Sequence, residues 1–78
     1  MERKAYLANQ RDGVTWSVEY GTHCAVVRQV RGKTVGVAYR MSDGNWTWRQ
    51  EGTVPDHIRQ NVIGLCDFEL KHEQEIGA

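Results

Sequence analysis

Turn signals recur about every ten residues through the first half of the chain, and this spacing limits the fold more than any other feature. Asp12-Gly13 and Asp43-Gly44 are strong hairpin dipeptides, while Gly21-Thr22 and Gly32-Lys33 are weaker turns. Short strands joined by tight turns at this interval make an up-and-down antiparallel sheet. With 78 residues there is material for one core, so residues 1–78 are expected to form one small domain.

Between the turns, apolar and polar residues alternate with the period of two that a pleated strand imposes. Val14, Trp16, Val18 and Tyr20 share one face, opposed by Thr15, Ser17 and Glu19. Cys24, Val26 and Val30 alternate with Ala25, Val27, Gln29 and Arg31. Val35, Val37, Tyr39 and Met41 alternate with Thr34, Gly36, Ala38 and Arg40. Trp46 and Trp48 follow, opposed by Thr47, Arg49 and Glu51. Ala5 and Leu7 would join the same face through a hairpin at Asp12-Gly13. Two-residue turns then place Val30 opposite Val35, Val26 opposite Tyr39, Met41 opposite Trp46 and Tyr39 opposite Trp48. Every large apolar side chain lands on one face. Arg28 breaks this pattern by falling among the core-facing positions. It requires either an edge site over Trp16 or a bulge that turns it outward.

The segment TVPDHIRQNVIGL reads as a helix. Thr53 can cap it, Pro55 suits the first turn, and Asp56 is favourable at the positive end of the dipole. Val54, Ile58, Val62 and Leu65 form the stripe that would lie on the aromatic face, and Gly64 is a candidate stop. Cys66, Phe68 and Leu70 then alternate as in a strand, although the same residues fit a helix that continues past Gly64. The fold expected is therefore α+β. It comprises a five-stranded antiparallel meander over about residues 4–51, one helix at about 54–64 on its aromatic face, a short sixth strand at 66–71, and a frayed acidic tail at about 72–78.

Net charge is zero, yet its distribution is uneven. Residues 1–40 carry seven basic and three acidic side chains, and residues 41–78 carry three basic and seven acidic. The chain can thus present a basic and an acidic region without being basic overall, which weakens a nucleic-acid reading. No secretory apolar segment or bilayer-length run is present, so a cytoplasmic location is expected. Cys24 and Cys66 have neither CxxC nor metal spacing and are expected as free, buried thiols, with a Cys24–Cys66 disulfide as the alternative if the fold brings them together.

Catalytic and metal signatures are missing. His23 and Cys24 are neighbours on a strand, so they point to opposite faces and cannot pair as base and nucleophile. There is no phosphate loop, no HExxH and no Cys/His quartet. A non-enzymatic chain without metal or cofactor is expected.

On the registers above, the face away from the helix has a floor of small residues, Ala25, Val27, Gly36 and Ala38. Arg31, Arg40, Arg49, Gln29 and Thr47 would rim it. Planar guanidiniums around such a floor suit carboxylates or phosphates. A helix about 10 Å wide cannot cover a whole five-stranded face, so Trp46, Trp48 and Tyr39 are a second candidate contact. The function expected is a small protein-interaction module, an adaptor or inhibitor, in the style of phage and mobile-element accessory proteins. Nucleic-acid binding through the same strands is the alternative. A homodimer joined at edge strands or open aromatics is a third.

Overall fold

A computed structural model describes residues 3–77 of the backbone and side chains through residue 73. Five antiparallel strands form one sheet in the order β1-β2-β3-β4-β5: β1 Arg3–Ala8, β2 Thr15–Tyr20, β3 Cys24–Gln29, β4 Val35–Arg40 and β5 Trp46–Glu51. One helix, α1, follows over Asp56–Gly77. The meander and its α+β class are those that the turn spacing predicts.

The faces of the two middle strands are not. Tyr20 lies opposite Ala25, Val18 opposite Val27, and Ala38 opposite Trp48. The helix therefore covers Trp16, Val18, Tyr20, Ala25, Val27 and Ala38, with Ala5, Leu7, Trp46 and Trp48 packed at the margins. The small residues form the floor beneath the helix, not the outer face. Val26, Val35, Val37 and Tyr39 face the other way.

The hairpin between β4 and β5 accounts for much of this reversal. A two-residue turn at Asp43-Gly44 would pair Met41 with Trp46. Instead Gly44 N–H donates to the Met41 carbonyl at 2.9 Å, and Met41 N–H donates to the Asn45 carbonyl at 2.7 Å. Ser42, Asp43 and Gly44 make a three-residue loop in which Gly44 takes φ +88°, the left-handed conformation that glycine tolerates. Asp43 secures it by accepting from Asn45 N–H at 2.9 Å and from Asn45 Nδ2 at 3.0 Å. Those hydrogen bonds, the backbone one foremost, hold the Asp43 carboxyl below its ordinary range. One extra loop residue shifts the pairing by one and turns each β4 side chain to the other face relative to β5. The β2–β3 turn is likewise tight, with Gly21 N–H donating to the Cys24 carbonyl at 2.9 Å. The β3–β4 connection is longer, closed by Gln29 N–H to the Thr34 carbonyl at 2.9 Å.

Arg28 needs neither bulge nor edge site. It lies opposite Ser17 and Val35, exposed on the face away from the helix. Within the strands, Gly36 is tightly packed, and a side chain there would make its neighbours give by a few tenths of an ångström. A Cβ there would come within 3.0 Å of Val54 Cγ2 and 3.5 Å of the Trp48 ring.

Residues 66–71 are helix, not a sixth strand. Of the alternating set only Cys66 is buried, and Phe68 is 68% exposed. Ile58, Val62 and Cys66 make the buried stripe at helical spacing, with Leu65 beside them. The cost of Gly64, roughly 1 kcal/mol, is outweighed by this stripe and by the good helix formers Leu65, Glu69, Leu70 and Lys71 that follow it. Thr53 does not act as the cap expected of it: the Pro55 carbonyl accepts from Ile58 and Arg59 N–H, each at 3.0 Å. Gln50 Oε1 accepts from Val54 N–H at 3.1 Å just ahead.

Twenty-two residues make a helix about 33 Å long, against about 20 Å for a six-residue strand. Arg3 Nε meets Glu69 Oε1 at 3.3 Å where the sheet ends, so the last two turns run past it. The longest dimension of the molecule is 41 Å. No described helix is long and apolar enough to cross a membrane.

Candidate functional site

Helix α1 covers one face of the sheet, and nothing among the described residues covers the other. That open face is built from alternate residues of all five strands. One row runs Lys4, Glu19, Val26, Val37, Arg49, and the next runs Tyr6, Ser17, Arg28, Val35, Glu51. Val26, Val35 and Val37 are half-buried by their neighbours, while Tyr39 is 45% and Tyr6 63% exposed. The centre is thus branched aliphatic, and cations stand on both sides of it. Among the described residues, Lys4, Arg28 and Arg49 form no ion pair; the ion pairs present are Arg3–Glu69, Arg40–Asp67 and Arg59–Asp56.

The five polar residues that the sequence suggested as one rim are not brought together. Arg49 and Thr47 do lie on the open face. Arg31 is exposed in the β3–β4 loop, and the Gln29 side chain lies close over Gly32 at the same end. Arg40 is on the helix side, and its binding capacity is taken up within the molecule. Its Nε donates to the Thr22 carbonyl at 3.1 Å, its Nη2 meets Asp67 Oδ1 at 2.7 Å, and its guanidinium sits 4.7 Å from the centre of the Trp46 ring. This clamp joins the β2–β3 turn, the end of β4, the start of β5 and the helix. Trp46 and Trp48 are half-buried beside the core, so of the three aromatics suggested as a contact only Tyr39 belongs to the open face. Sequence reasoning missed Arg28 and Lys4, because the assumed registers buried the first and left the second unplaced.

At one end of the open face lies a cleft of about 470 Å³ lined by Tyr6, Gly13, Val14, Thr15, Gln29, Val30 and Arg31. Its walls come from the β1–β2 and β3–β4 loops and are held by backbone hydrogen bonds. Asn9 N–H donates to the Val14 carbonyl at 2.8 Å, and Val30 N–H to the Thr15 carbonyl at 3.0 Å. Val14 N–H donates to Asp12 Oδ1 at 2.9 Å.

Chemistry-bearing groups elsewhere are dispersed. No three described His, Cys, Asp or Glu side chains gather as around a metal ion. His23 Nδ1 shares a hydrogen bond with Thr22 Oγ1 at 2.7 Å in an exposed turn. His72 stacks on Phe68, with ring centres 6.3 Å apart, on the outside of the helix. Cys24 and Cys66 are free thiols. Cys66 is fully buried against β3, its thiol directed at the Cys24 carbonyl 3.9 Å away. Burial pushes that thiol up to about 11, against a smaller lowering by Arg40.

No protein-family model, curated protein or solved structure matches the chain.

Proposed function

We propose that the protein is a non-enzymatic interaction module that seats an acidic surface of a protein partner on its open sheet face. One observation carries this reading: an uncovered aliphatic floor of Val26, Val35 and Val37 flanked by Lys4, Arg28 and Arg49, cations with no carboxylate partner among the described residues. Branched side chains standing up from a pleated sheet give a rigid, low-entropy contact. Arginines beside such a floor are partly desolvated when a partner docks, where a planar guanidinium pairs well with a carboxylate. Glu19 and Glu51, on the same face, set the register of an approaching surface by repelling misplaced acidic groups.

Nucleic acid fits this face less well. Single-stranded bases need aromatic platforms at the centre of a sheet, and here the centre is valine with tyrosines at the margins.

The test is the double variant Arg28→Glu, Arg49→Glu, compared with Lys71→Glu on the helix. Both should retain the wild-type circular dichroism and denaturation midpoint. A partner captured by the wild type and by the helix variant should be lost from the double variant, and its binding should weaken as salt rises. Equal capture by all three proteins would refute the open face as the contact surface. Light scattering at two concentrations distinguishes a second copy of this chain from a different partner.

A further inference from the structure

We infer that the cleft between the β1–β2 and β3–β4 loops is the anchor pocket of this surface, taking an apolar side chain that stands beside a carboxylate on the partner. This inference rests on the reading of the open face as a docking surface for an acidic protein. The flat part of that face spans about 20 by 20–24 Å, which is roughly half of the 800 Å² per partner that a specific interface buries. A specific partner must therefore reach beyond the sheet, and the cleft is a concave feature contiguous with it that carries a cation, whereas the shallower one beside Glu51 is lined by Lys33, Thr34, Glu51 and Gly52 and includes a carboxylate. Tyr6 belongs to both: it lines the cleft and shares a cross-strand row with Arg28.

The lining suits an apolar group with one acidic neighbour. Val30 is 51% exposed and Tyr6 63%, so two large apolar surfaces face solvent where a ligand group would replace water. A volume of about 470 Å³ lies within the range of small-molecule pockets and accepts a phenyl or branched aliphatic group. Arg31 borders the cleft without an ion pair among the described residues, and Thr15 and Gln29 offer neutral hydrogen-bonding groups. No carboxylate lines the cleft, and Asp12 nearby accepts from Val14 N–H. The walls are pinned by strand-end hydrogen bonds, so little ordering entropy is lost on binding.

A minimal probe contains both features. Isotope-labelled protein is titrated with 3-phenylpropionate and, separately, with its neutral amide, 3-phenylpropanamide. Saturable amide shifts at Gly13, Val14, Thr15, Val30 and Arg31 are expected with the acid, in the millimolar range that a fragment of this size reaches. The amide should bind about three- to fivefold more weakly, the worth of one partly screened ion pair. Arg31→Gln should bring the acid down to the level of the amide, and Tyr6→Ala should weaken both. Equal affinity for acid and amide would overturn the carboxylate assignment, and absence of saturable shifts would overturn the pocket. Shifts confined to Val26, Val37 and Arg49 would overturn the anchor while leaving the docking face intact. Conversely, cleft shifts together with unchanged partner capture by the Arg28→Glu, Arg49→Glu variant would separate a working pocket from a failed face. A mixed-sequence single-stranded oligonucleotide that shifts the cleft residues at lower concentration than the acid would also refute the inference, in favour of nucleic acid.

Discussion

Replacing Arg40 by methionine isolates the clamp that occupies an arginine which sequence reasoning had placed at the binding surface. Methionine keeps most of the aliphatic volume but removes three interactions. The hydrogen bond to the Thr22 carbonyl at 3.1 Å is charge-assisted and largely shielded, since the Arg40 side chain is 13% exposed. A bond of that kind contributes about 1.5–3 kcal/mol. The ion pair with Asp67 is short, 2.7 Å, but Asp67 is 57% exposed, so screening limits it to about 0.2–1 kcal/mol. The guanidinium over Trp46 at 4.7 Å adds about 0.5–1 kcal/mol. The interactions overlap and part of the loss is recovered by water at Thr22, so the net cost should be about 2–4 kcal/mol. That is a large share of the roughly 5–10 kcal/mol available to a domain of this size. The assay is urea denaturation, read from the midpoint at unchanged slope. Asp67→Ala provides the contrast and should cost less than about 1 kcal/mol. If Asp67→Ala destabilises as much as Arg40→Met, the ion pair and not the buried donor carries the clamp, and the reasoning fails. If Arg40→Met leaves the midpoint unchanged, the clamp does not exist in solution.

Four further predictions concern packing, the turn and the thiols. Gly36→Val should destabilise by about 1–3 kcal/mol, because even a Cβ meets Val54 Cγ2 at 3.0 Å beneath the helix; a midpoint at or above wild type would contradict the close approach. Gly44→Val should cost about 1–2 kcal/mol through its φ of +88°, whereas Gly21→Ala, in open space at ordinary φ, should change stability by less than about 0.5 kcal/mol; equal effects in thermal melts would remove the left-handed turn as the register device. Cys66 should react with a thiol reagent at neutral pH far more slowly than Cys24, with the Cys66→Ser variant identifying the fast site; equally rapid labelling of both would mean that the helix opens readily. The raised Cys66 thiol also fixes the sign of a pH effect. The folded protein keeps its proton up to about 11, whereas the unfolded chain releases it from about 9. Its contribution to stability is fully present below pH 9 and is lost as pH rises from there through 11, a loss that Cys66→Ala should abolish.

The five strands, their antiparallel order and the presence of the helix could be read from the sequence alone. Both signals involved are local: glycine-containing turn dipeptides and a period of two at the level of single strands. The alternation in Val14–Tyr20 identified the helix-facing side of β2 because its two sets differ sharply, Trp16, Val18 and Tyr20 against Ser17 and Glu19. In β3 and β4 both alternating sets are apolar, Ala25 and Val27 against Val26, Gly36 and Ala38 against Val35 and Val37. Period alone cannot say which set is covered. The tertiary structure decided that, through one extra residue in the Ser42–Gly44 loop and through the space a helix needs above its sheet. Small side chains lie under the helix because its Ile58 and Val62, with Val54 just ahead of it, fill that space, while the larger valines are left facing outward. The candidate site was displaced by the same inversion: Arg40 became an internal clamp, Arg49 and Thr47 stayed on the open face, and Arg28 joined them. The extent of α1 was also settled by packing, since Cys66 and Leu70 fit a strand or a helix equally well as a pattern. Only the burial of Cys66 against β3 and the reach of Glu69 to Arg3 favour one of them. Local chemistry specified the elements, and one-residue differences in register, which are worth little locally and much in burial, specified the surface.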